Sequence, residues 1–168
     1  MHRHLPLLVM FLAGCSEPTT PPSQTPDASI AGDAPVDAST TATVSGSLRR
    51  TVQPMGDARG SIYVAMFDRD PVLERDAAQV VGQTVLTDAD LSGEGASMTY
   101  TLSGVPVRAA KYYLVAFLDD NTSVSDPSAA GPDRGDLVSL DGLAAPRLTV
   151  ANAGTMTFDV NLNTVMPF

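Results

Sequence analysis

A chain of 168 residues with 10 Lys and Arg against 19 Asp and Glu carries a formal charge of −9. That balance repels nucleic acid and anionic lipid headgroups and leaves cations or basic surfaces as the partners it attracts. With one Cys, two His and no Trp, an intrachain disulfide is excluded, and zinc or haem ligation has almost nothing to draw on.

The first residues, MHRHLPLLVMFLAGCSEP, combine a short basic start, an apolar run from Leu5 to Ala13 and small residues before Cys15. The run is too short to span a bilayer and reads as an export signal. Leu12-Ala13-Gly14-Cys15 resembles the lipobox of bacterial lipoproteins. That resemblance implies that residues 1–14 are a signal peptide and that Cys15, acylated with palmitate among other chains, becomes the new N-terminus. Two or more acyl chains make a stable membrane anchor where one is marginal. Ser16 stands where the family's inner-membrane retention signal carries Asp, so the implied location is the outer membrane. Loss of residues 1–14 takes His2 and His4 with it. The remaining chain then has no His, and its only Cys is in the anchor, which excludes Ser-His and Cys-His nucleophiles and histidine bases by inventory. Lys111 is the one lysine and reads as a surface residue.

From Ser16 to Ala42 the chain is Pro, Thr, Ser, Ala and Asp, with Ile30 and Val36 as its only larger aliphatics. It cannot bury enough apolar surface to offset ordering, so residues 15–42 are expected to form a disordered tether carrying the lipidated Cys, with a folded domain at 43–168. In that domain, segments 43–51, 60–68, 79–87, 96–104, 111–119, 146–152 and 154–162 are short Val-, Tyr-, Thr- and Phe-rich runs between Gly, Pro, Asp and Ser. Each reads as a strand. Period-two alternation puts Met98, Tyr100 and Leu102 on one face, and Met156, Phe158, Val160 and Leu162 likewise. IYVAMF (62–67) and YYLVAFL (112–118) are apolar on both faces and are expected to be central strands. Only DPVLERDAAQVV (70–81) reads as a helix, of one or two turns. The expected fold is all-β, an antiparallel Greek-key β-sandwich of about seven strands in one domain.

LSGVPVRAAKYYLVAFLDDN resembles a hairpin of transthyretin-like and carboxypeptidase-regulatory-like sandwiches, through Gly104-Val105-Pro106, Tyr113, Val115 and Asp119-Asp120-Asn121. Arg108-Ala109-Ala110 stand where the family's turn glycine is expected. The resemblance implies an accessory, binding or structural role without catalysis.

Two acidic stretches are candidate sites. Asp88-x-Asp90-x-Ser92-Gly93, followed by Glu94, has the alternating oxygen ligands of the front of a calcium loop. The closing glutamate of an EF-hand is absent, because Thr99 occupies its place. Asp119, Asp120, Asn121 and Asp126 belong to the long stretch LDDNTSVSDPSAAGPDRGD (118–136), which also holds Asp133, Arg134 and Asp136. Its Asp119-x-Asn121-x-Ser123 has the same spacing, but Val124 replaces the turn glycine. Arg134 reads as neutralising neighbouring aspartates. Successive strands of alternating direction bring both loops to one end of the sandwich, with Asp68 and Asp70 at the other. A shared calcium site and a solvated acidic rim are the two expectations there, with Asp and Ser capping backbone amides in the second.

Glycoside hydrolysis needs a carboxyl pair in which one member has a raised pKa, and these aspartates on polar turns offer no apolar pocket for it. The sequence therefore reads as a non-enzymatic, lipid-anchored envelope module of structural or interaction type. The alternative is a carbohydrate- or peptide-binding module using the acidic loops, with Tyr63, Tyr100, Tyr112 and Tyr113 either stacking on sugar or filling the core. Its partners are then the membrane, through the anchor, and another envelope protein or a glycan.

Overall fold

The computed structural model describes residues 40–127 and 130–167. The expected signal peptide, Cys15 and the tether as far as Ser39 lie outside the described residues. Ten strands follow in order: β1 (Thr41–Arg50), β2 (Arg59–Phe67), β3 (Val80–Asp90), β4 (Ser97–Pro106), β5 (Tyr112–Asp119), β6 (Leu137–Val138), β7 (Arg147–Leu148), β8 (Gly154–Thr157), β9 (Val160–Leu162) and β10 (Thr164–Val165). All seven expected strands are present, and the first starts two residues earlier than its turn signals suggest.

Two sheets pack face to face. One has the order β10-β6-β5-β2-β3, with β7 also on β5; the other is β4-β1-β8, with β9 also on β1. The two-sided apolar segments are central as expected, β2 lying between β3 and β5. Strands β2 to β5 follow a Greek-key order, because β5 returns to pair with β2 while β4 lies in the facing sheet. The sandwich is not wholly antiparallel, since β1 runs antiparallel to β4 but parallel to β8 and β9.

Alternation decides which face each strand buries. Val44, Leu48, Tyr100, Leu102, Val160 and Leu162 from one sheet meet Ile62, Val64, Met66, Leu114 and Leu118 from the other in a single core. Tyr100 and Tyr112 are 1% exposed and belong to that core, so neither is available to a sugar. Tyr112 also ties down the segment resembling transthyretin-like modules. Its hydroxyl donates to the Pro106 carbonyl at 2.8 Å, and Arg108 lies over its ring, 3.8 Å from the centroid. That segment is not a hairpin, because β4 and β5 lie in different sheets. Arg108, at the expected turn position, instead donates to the Asp68 carbonyl at 2.7 Å and to the Lys111 carbonyl.

The expected helix over 70–81 does not form, and no α-helix occurs among the described residues. Asp70 does act as a cap, accepting the Val72 amide at 2.9 Å, and Glu74 N–H reaches the Asp70 carbonyl. The segment must then return so that Gln79 and Asp68 pair, through Asp68 N–H to the Gln79 carbonyl and Gln79 N–H to Asp68 Oδ1 at 2.7 Å. Val72 and Leu73 stay exposed, so the turn lacks the packed apolar face that carries short helices past nucleation.

The last expected strand divides at Phe158-Asp159. The Phe158 carbonyl sits against Gly46 and accepts the Tyr100 hydroxyl at 2.6 Å, while Asp159 Oδ1 takes the Ser47 amide at 2.8 Å. A Cβ on Gly46 would lie 2.0 Å from the Phe158 oxygen. Gly46→Ala is therefore expected to cost about 2–3 kcal/mol through strain of the overpacking kind, read as a lowered urea midpoint. An unchanged midpoint would show that the two strands part for another reason.

Candidate functional site

Strand direction brings the two acidic loops together, as the alternation of strands requires. Asp90 at the end of β3 pairs with Arg59 at the start of β2, and Asp119 at the end of β5 pairs with Ser61. Asp68 and Asp70 follow β2 at the other end. A cleft of about 890 Å³ opens between the loops, walled by Arg59, Tyr63, Asp88, Asp119, Thr122 and Val124 among others.

What the carboxylates do there is local and specific. Asp119 is buried, with Oδ1 accepting the Ser123 amide at 2.9 Å and Oδ2 the Val124 amide at 3.2 Å. Asp120 spans to the β1–β2 connection, where Oδ2 takes the Gly56 amide at 2.7 Å and Oδ1 the Ala58 amide at 2.6 Å. Ala58 has φ +59 and is fully buried, so this clasp holds a left-handed, non-glycine residue in place. Asp90 accepts both the amide and the hydroxyl of Ser92, at 3.0 and 2.5 Å, and pairs with Arg59 at 2.9 Å. These contacts, those to Ser92 foremost, hold its carboxyl down to about 2. Asn121 accepts the Ser123 amide at 2.9 Å and donates to Asp133 and to the Arg134 carbonyl. Bonds from Ser123 and Asn121 keep Asp133 below the usual carboxylate range.

Asp136 is the hub of the long loop. It is fully buried and accepts the Asp120 amide at 3.2 Å and the Asp133 amide at 2.9 Å. Burial pushes its carboxyl up despite both bonds.

The residues singled out as calcium ligands are thus at one end but not in one cage. Among the described residues, no group of three or more His, Cys, Asp or Glu side chains is placed to hold a metal ion. Asp88 stands in the cleft wall with φ +55. Ser92 serves Asp90, while Glu94 and Asp126 are exposed. Among the described residues no ion pair involves Arg134, which contributes its carbonyl and not its charge. The TDADLSGEG turn is an arch between sheets, with Gly95 at φ +74.

Sequence reasoning missed Arg59, named Tyr63 only as a stacking or core residue, and named Asp136 only as one aspartate of the long stretch. The parity that places the loops at one end also places Arg59 there; nothing in the pattern marks Asp136 as the buried member. Tyr63 and Phe117 face away from the core and stack with centroids 4.8 Å apart at 13°.

No protein-family model matches the chain, and no curated protein matches it. Among solved structures, an alternative pilotin from the type II secretion system of Vibrio cholerae aligns at 10% identity over 72% of this chain and 96% of that one, with a TM-score of 0.34. A superposition that loose carries no argument about what this chain does.

The shifts set opposite pH dependences. Asp90, Asp133 and Asp159 lie below the ordinary value of 3.8 when folded, so the stability they contribute is present above that value and lost as pH falls through their folded values. Asp136 is raised; its contribution is full below 3.8 and is lost as pH rises through its folded value. Denaturant unfolding followed from pH 7 to pH 2 should show an acid limb, and Asp136→Asn should flatten the slope just above pH 4 while leaving that limb. Parallel curves for the two proteins would refute the assignment to Asp136.

Proposed function

We propose that this chain is a lipid-anchored β-sandwich of a bacterial envelope. Acylated Cys15 holds it at the outer membrane, and it acts without catalysis as an interaction module through the acidic cleft. The observation that supports this reading most is how the cleft's carboxylates are used. Asp119 is committed to two backbone amides, and Asp90 is held near 2 by Ser92 and Arg59. A two-carboxylate hydrolase needs the opposite, a cleft carboxyl raised to act as acid. The raised carboxyl, Asp136, is spent inside the loop.

A cleft with a negative wall, the exposed Asp88 and the half-buried Tyr63 suits a basic segment of another envelope protein. A glycan has less to stack on, since Tyr100 and Tyr112 are core and Phe117 covers one face of Tyr63.

Two measurements check this. Palmitate labelling should disappear in Cys15→Ala, and equal labelling of both chains would end the anchor reading. A photo-crosslinking residue at Thr87, in the cleft, should give a discrete protein adduct that Asp88→Lys weakens, while the same group at exposed Thr99 on β4 should not. Adducts of equal yield from both positions, or from neither, would contradict the cleft as the binding surface.

A further inference from the structure

The negative charge of this protein is not spread evenly along the sandwich, and the entry point of the chain gives the asymmetry a direction. Thr40 and Thr41 lie beside Pro106 and Val107, through Thr41 pairing with Pro106 and Val107 N–H donating to the Thr40 carbonyl at 2.8 Å. That is the end at which β2 runs into the 68–79 loop and β5 begins, because Arg108 bonds the Asp68 carbonyl and Phe67 pairs with Tyr113. The acidic cleft is at the opposite end.

The entry end has a different surface. Val72, Leu73 and Val80 are 49%, 68% and 49% exposed, three of the six large apolar side chains that the described residues leave open. Arg75, Lys111 and Arg147 are exposed at the same end, and Arg69 pairs with Glu74 at 3.5 Å. Of the carboxylates there, Asp70 is buried and caps the loop, Asp68 holds the Gln79 amide, Glu74 is taken by Arg69, and Asp76 is exposed next to Arg75, so the charges at this end nearly balance, in contrast to the acidic end. Exposed apolar side chains among cations are the composition of a surface that settles at a headgroup boundary, while the opposite end is repelled by anionic lipid.

We propose that the entry end, with Val72 and Leu73 exposed and Arg75, Lys111 and Arg147 on the same end, rests on the bilayer that holds the anchor, so that the acidic cleft points away from the membrane. This rests on the lipid-anchor reading above. Only 25 positions separate Cys15 from Thr40, so the tie to the anchor raises the effective concentration of the patch near the surface, where weak contact suffices to orient the domain.

The test uses the full acylated chain in vesicles of phosphatidylethanolamine and phosphatidylglycerol with brominated acyl chains. An environment-sensitive fluorophore is placed on Ala77→Cys, in the 68–79 loop, or on Gly93→Cys, at the acidic end. The loop probe should be quenched severalfold more than the other, and Val72→Asp with Leu73→Asp should abolish the difference while the chain stays bound. Equal quenching at the two positions in a bound chain would overturn the orientation alone. A chain that does not partition into the vesicles would overturn the anchor reading and this one with it.

Discussion

The two connections at the acidic end are closed by carboxylate oxygens that accept main-chain N–H groups, and the shape of that end depends on this one interaction. Asp120 ties the 55–58 segment to the end of β5, Asp119 folds the chain back over itself at Ser123 and Val124, and Asp136 holds the 120–136 loop from inside. A buried amide without an acceptor costs about 1–3 kcal/mol. Two-residue strands such as β6 and β10 supply few ladder bonds. Asp side chains are short enough to reach amides two to five residues away, and as ionised acceptors they bond more strongly than neutral ones. The cluster of aspartates is thus a hydrogen-bonding device before it is a source of charge.

The core explains why those loops can be so irregular. β2 and β5 are held on both edges and present Ile62, Val64, Met66, Leu114 and Leu118 inward. Their outward residues are also apolar, with Tyr63 stacked on Phe117 and Phe117 opposite Val138. A sheet apolar on both faces places its ends firmly, so the loops that leave it start from fixed points. Ser139 illustrates the economy at the edge: buried, it donates its amide to the Ala116 carbonyl and accepts the Ala116 amide through its hydroxyl at 2.8 Å, replacing a rung that the short β6 does not provide.

Much of this was legible in the residues. Alternation placed Tyr100, Leu102, Val160 and Leu162 inward, and two-sided hydrophobicity placed β2 and β5 at the centre of their sheet. Strand direction alone brought the two acidic loops to one end. The split between β8 and β9 was not legible, because it arises from a carbonyl lying against Gly46 and from Asp159 replacing a ladder acceptor, both long-range events. The segment expected as a helix over 70–81 does begin at a capping residue, Asp70, but tertiary closure of the loop overrides it. The calcium spacing was ambiguous for a physical reason: an Asp or Asn that caps the amide two residues on produces the same alternation of oxygens as a cation loop. Asp90 with Ser92, Asn121 with Ser123 and Asp57 with Arg59 all use it for amides.

Net charge also hid a polarity. The end where the described chain enters has exposed Val72 and Leu73 with cations and carboxylates nearly in balance, whereas the far end holds most of the aspartates and the cleft. A module anchored on one side and offering a binding surface on the other needs that division. The central claim, that these carboxylates are committed to backbone amides, is tested most directly by carboxyl-carbon NMR through a pH titration with and without calcium. Asp90 should titrate at about 2 with the Ser92 amide proton following the same curve, and calcium should move neither. Titration of Asp90 near 3.8, or displacement of the Ser92 amide by calcium, would contradict it.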